Sequence, residues 1–85
     1  MSREGEFKHS RVIYTYDLSQ LDNVQKVRFV YLLKGRKDGE GLIKELTGYF
    51  LVNGCFILPL EKAKDIEIVF KAWQVPFTKE EVLMR

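Results

Sequence analysis

The sequence predicts an α+β domain with elements in the order β-α-β-β-α-β: a four-stranded antiparallel sheet carrying two helices on one face. Three observations carry that expectation. Asn53-Gly54 sits between two apolar runs, Tyr49-Phe50-Leu51-Val52 and Cys55-Phe56-Ile57-Leu58, the strongest short-range signal for a two-residue β-hairpin. Glu61 to Gln74 then has helical periodicity, with Ala63, Ile66, Val69, Phe70 and Trp73 on one stripe and Lys62, Lys64, Asp65, Glu67 and Lys71 mainly opposite. Strand formers open and close the chain, at Arg11–Tyr16 and Phe77–Met84. Together these describe a ferredoxin-like plan.

Residues 1–9 are polar and charged, and read as a solvated arm; residues 10–85 form the single domain. Arg-Val-Ile-Tyr-Thr-Tyr (11–16) is β-branched and aromatic, a strand, which Asp17-Leu18-Ser19 ends. Ser19 with Asp22 three places on has the pattern of a helix N-cap, and Gly35 stands where a C-cap belongs. Between them, apolar residues at 24, 27, 30 and 31 mark the expected inner stripe of a helix over Gln20–Lys34. Val27 to Leu33 is also rich in strand formers and competes as a strand; caps at both ends and a 15-residue length favour the helix.

Gly35 to Gly41 carries three glycines and four charges, a surface loop, and Leu42–Leu46 adds a helical turn before Gly48. Asn53-Gly54 predicts a type I′ turn with positive φ at both central residues. Pro59 ends the second strand of the hairpin, and Pro76 stops the second helix. Thr78 with Glu81 offers a short terminal helix as the alternative to the last strand.

Composition bounds the function. An apolar fraction of 46% with 13% aromatics suits a folded core and argues against disorder. The one cysteine, Cys55, excludes an internal disulfide and cannot form a zinc site alone; in an apolar strand it reads as a buried thiol in a reducing, cytoplasmic setting. No signal-peptide core and no membrane-length apolar run is present in the sequence. The net charge is +2, unevenly placed: residues 1–44 hold nine Lys and Arg against six acids, and residues 45–85 hold five against six.

Tyr16-Asp17-Leu18-Ser19, followed by basic Lys26 and Arg28 and then Leu33-Lys34-Gly35, resembles the opening of the small ferredoxin-like CRISPR-associated adaptation subunit. The resemblance spans residues 11–35 and implies a metal-binding nuclease role for Asp17. Beyond Gly35 the chain departs from that family's pattern, because a charged, Gly-rich stretch stands where the next strand belongs. Read from the residues alone, Asp17 is an end-of-strand turn residue, and one carboxylate is a poor magnesium site.

No other catalytic, metal or cofactor motif is present, so catalysis is not expected. His9 lies between Lys8 and Ser10 in the polar arm, without an identifiable acid–base partner. Ser10 and Ser19 have no identifiable base. Gly35, Gly39 and Gly41 superficially suggest a phosphate loop, but G-K-[ST] is missing and Asp38 and Glu40 would repel phosphate.

Two surfaces remain as candidates. Arg11, Lys26, Arg28, Lys34, Arg36 and Lys37 form a basic set that would neutralise nucleic-acid phosphates, with Tyr14, Tyr16 or Phe56 available to stack bases. Both alternate sets of the hairpin are apolar, so its sheet needs cover on two sides, and the helices supply only one. Val12, Tyr14 and Tyr16 (or Ile13 and Thr15), with Phe50 and Phe56, are then left for a second copy or a larger protein. The expected function is therefore a non-catalytic interaction module, an accessory subunit of a nucleic-acid-processing complex; the alternative is a direct DNA- or RNA-binding domain.

Overall fold

The computed structural model describes residues 9–35 and 41–84. The elements are β1 (His9–Tyr16), α1 (Asn23–Lys34), α2 (Leu42–Glu45), β2 (Tyr49–Val52), β3 (Cys55–Pro59), α3 (Ala63–Trp73), entered through a 3-10 turn at Leu60–Lys62, and β4 (Phe77–Met84). The four strands form one antiparallel sheet in the order β2-β3-β1-β4, the ferredoxin-like arrangement. The expected arm over residues 1–9 falls outside the described residues except at His9, which begins β1 opposite Met84. Arg36 to Glu40, within the predicted charged loop, also lie outside them.

Local chemistry accounts for most element boundaries. α1 starts three residues later than the Ser19 cap predicts, because Asp22 Oδ1 accepts the Gln25 backbone N–H at 2.8 Å and so caps the helix itself. Ser19 instead donates its backbone N–H to Asp17 Oδ1 at 2.8 Å, which makes 17–19 an Asx turn. The helical alternative for residues 27–33 prevails over the strand. Gly35 closes α1 at φ 78, its N–H reaching Tyr31 O at 2.7 Å. α3 ends on Gln74 in the left-handed region, and Pro76 follows.

The hairpin forms where expected, but its turn differs. Gly54 has φ 82 while Asn53 is not among the positive-φ residues, so the turn is not type I′. The register shifts between Phe50 and Val52, a β-bulge that bends β2 where the turn does not itself match the strand twist. Gly48 is fixed by close approach: a Cβ there would lie 2.3 Å from the Ile57 carbonyl oxygen.

The core fills the space between one sheet face and the helices. Val12, Tyr14, Phe56 and Leu58 meet Phe29 and Leu33 of α1 and Ile66 and Phe70 of α3. α2 packs against α1 and buries Ile43, with Leu46 just beyond it. Aromatic rings join these layers: Tyr14 contacts Phe56, Phe70 and Phe77 at 5.5, 5.8 and 5.7 Å between centroids, and Trp73 meets Phe29 edge-on at 5.2 Å.

Candidate functional site

The strand pairings decide which sheet face is open, in the sense that no described helix covers it. Val12 opposes Leu58, and Tyr14 opposes Phe56, so this parity points into the helix-covered core. Val12, Tyr14 and Phe56 are fully buried, and Tyr16 and Phe50 pack against the same cluster. The five residues assigned to a protein interface, Val12, Tyr14, Tyr16, Phe50 and Phe56, are therefore core residues. The same burial removes Tyr14 and Phe56 as base-stacking platforms. The other parity, Arg11, Ile13 and Thr15, faces outward. Its signal was in the strand: of the two sets, this one contains the charged Arg11 and the small polar Thr15, while the other is aliphatic and aromatic.

Tyr14 carries a polar link out of the buried set. Tyr14 donates its hydroxyl to Glu67 Oε2 at 2.6 Å, and Lys79 Nζ donates to the same oxygen at 2.9 Å. Burial, and then the bond to Glu67, pushes the phenol well above its ordinary value. The Tyr14 and Lys79 bonds hold the Glu67 carboxyl below the usual carboxylate range. This arrangement ties α3 to β1 and β4.

The open face grades from apolar to polar. On the β2 side, Tyr49 opposes Ile57 and Val52 opposes Cys55, with Leu51 in the bulge. Tyr49, Leu51 and Val52 are 54%, 45% and 66% exposed, whereas Ile57 beside them is only 3% exposed. Thr15 Oγ1 donates to Cys55 Sγ at 3.7 Å. On the β4 side the face continues with Thr78, Glu80 and Val82, opposite Thr15, Ile13 and Arg11.

The described members of the basic set do not all share one surface. Arg11 lies on the open sheet face, where its guanidinium donates to the Ser10 carbonyl at 3.3 Å. Lys26 and Arg28 project from α1 in the helical layer, on the other side of the sheet. Lys34 reaches the hairpin, donating to Asn53 Oδ1 at 2.9 Å with its ammonium 4.9 Å from the Phe50 ring centroid. Arg36 and Lys37 lie outside the described residues.

α1 carries the feature that periodicity misjudged. Its buried residues are Phe29 and Leu33, while Val24, Val27 and Tyr31 of the predicted inner stripe are 59%, 50% and 45% exposed. The helix is apolar on nearly every side, so spacing alone did not choose the inward face. Shallow grooves flank the outward ridge: one, of about 450 Å³, is lined by Asn23, Val24, Val27, Arg28 and Tyr31, the other by Lys26, Val27, Val30 and Tyr31.

Asp17 serves its turn. The Ser19 backbone bond, and then the Ser19 side chain, lower its carboxyl from the ordinary value, and its own N–H donates to Pro76 O at 3.0 Å. Among the described residues no three His, Cys, Asp or Glu side chains are grouped to hold a metal ion, and no helix is long and apolar enough to cross a membrane. These features define the chain as an α+β ferredoxin-like domain whose described residues include exposed apolar side chains on β2 and on the outer side of α1. No protein-family model, curated protein or solved structure matches it significantly.

Proposed function

We propose that the chain is a non-catalytic interaction module that self-associates through the open sheet face at β2. The observation that carries this reading is the exposure of Tyr49, Leu51 and Val52, consecutive but for the inward Phe50. Burying an aliphatic or aromatic side chain of this size stabilises an assembly by roughly 1.5–3 kcal/mol. The opposite edge strand is guarded, with Lys79, Glu80 and Glu81 in succession, while β2 has no charged residue. The bulge in β2 interrupts a continuous edge and favours face-on packing over strand addition. Arg11 and Glu80 contribute opposite signs to this face, so a second copy meets no one-signed field.

Sedimentation velocity at micromolar concentration tests the proposal. The wild-type chain should sediment as a dimer, and Tyr49→Asp or Val52→Asp should sediment as folded monomers. A wild-type chain that is monomeric throughout that range overturns the reading.

A further inference from the structure

We infer that the outward ridge of α1 docks an amphipathic helix of another protein whose apolar stripe is flanked by acidic residues. Val24, Val27 and Tyr31 recur at the spacing of one helix face, and grooves run along both sides of the Val27–Tyr31 ridge. A ridge between grooves is the surface that a second helix packs against. The exposed valines are unusual on a helix surface: β-branched residues weaken a helix, and among the described residues neither belongs to the buried core cluster that would offset the cost.

Charge selects the occupant. Lys26 lines one groove and Arg28 the other, and α1 contains no Asp or Glu from Asn23 to Lys34. The carboxylate that directly precedes the helix in sequence, Asp22, is engaged as its N-cap. Two copies of this face would therefore bring cations against cations, whereas acidic flanks on a partner helix would meet a cation in each groove. A phosphate backbone would also satisfy the cations, but it would leave the apolar ridge between them uncovered. This surface is separate from the β2 patch, on the other side of the sheet.

A designed peptide of about four helical turns, with a Leu stripe flanked by Glu, supplies the probe, and the same peptide with Lys in place of Glu supplies the control. Fluorescence anisotropy at low salt should show the Glu peptide binding at least about tenfold more tightly than the Lys peptide. Val27→Asp should abolish binding, and Lys26→Glu with Arg28→Glu should reverse the preference. Circular dichroism should show that these surface variants remain folded. Tyr49→Asp should leave peptide binding unchanged, which separates this result from the self-association test. Absence of binding, equal affinity for both peptides, or binding only to a DNA duplex that the charge reversal removes would overturn the inference.

Discussion

Tyr14 shows how much a single side chain settles in a domain this small. Its ring fills the centre of the aromatic core while its hydroxyl reaches Glu67. Hydrogen bonds to charged groups contribute roughly 1.5–3 kcal/mol, so Tyr14→Phe should destabilise the chain by about that amount in urea unfolding, without moving the ring contacts. The pH dependence follows from Glu67, whose folded-state carboxyl is held below its ordinary value near 4.5. A lowered carboxyl contributes stability above its unfolded value and loses it as the pH falls through the folded value. The stability gap between wild type and Glu67→Gln should therefore be full at neutral pH and shrink below about pH 4.5, measured as urea midpoints. Tyr14 also illustrates a limit of reading strands: Val12, Tyr14 and Tyr16 form the more apolar side of β1, but that alone did not say whether helices or a partner would cover it; the pairing with Phe56 and Leu58 and the packing of the helices do.

The elements differ in how plainly their residues announce them. α3 has its apolar stripe on one side and charges on the other, and Ile66 and Phe70 are buried as that pattern requires. β4 spans Phe77–Met84, because Pro76 prevents α3 from continuing. The hairpin position was equally legible from Asn53-Gly54; its turn geometry was not, since Gly54 alone supplies the positive φ. α1 is the contrary case. With apolar residues around the whole helix, its orientation depends on which side chains fit between the sheet and α3, and Phe29 and Leu33 do so. Phe29→Ala should therefore cost about 3–5 kcal/mol, whereas Val27→Ala should stay within about 0.5 kcal/mol of wild type. Thermal and urea unfolding of the two variants checks the orientation directly.

At the scale of the whole molecule, one thin sheet separates two apolar surfaces of different electrical character. The β2 patch lies on a face where Arg11 and Glu80 offset one another, and the charged residues described along the α1 ridge, Lys26 and Arg28, are both cations. Raising the salt from about 0.05 to 0.5 M shortens the screening length severalfold. Self-association through β2 should then persist or strengthen, while the acidic peptide should be released from α1. Sedimentation and anisotropy along one salt series should show these opposite responses. The candidate sites were less legible than the fold because a site depends on which residues remain uncovered, and coverage is decided by packing between distant segments. The six basic residues were adjacent enough in sequence to suggest one surface, yet Arg11 and Lys26 stand on opposite sides of the sheet.

The edge-on contact between Trp73 and Phe29 has a practical consequence. Trp73 is the chain's sole indole, and it rests against the inward side of the helix whose outer side carries Val24, Val27 and Tyr31. The protein thus contains its own optical reporter. Excited selectively at the red edge of its absorption, Trp73 should shift its emission when α1 detaches from the core, so that unfolding can be followed in the unlabelled chain.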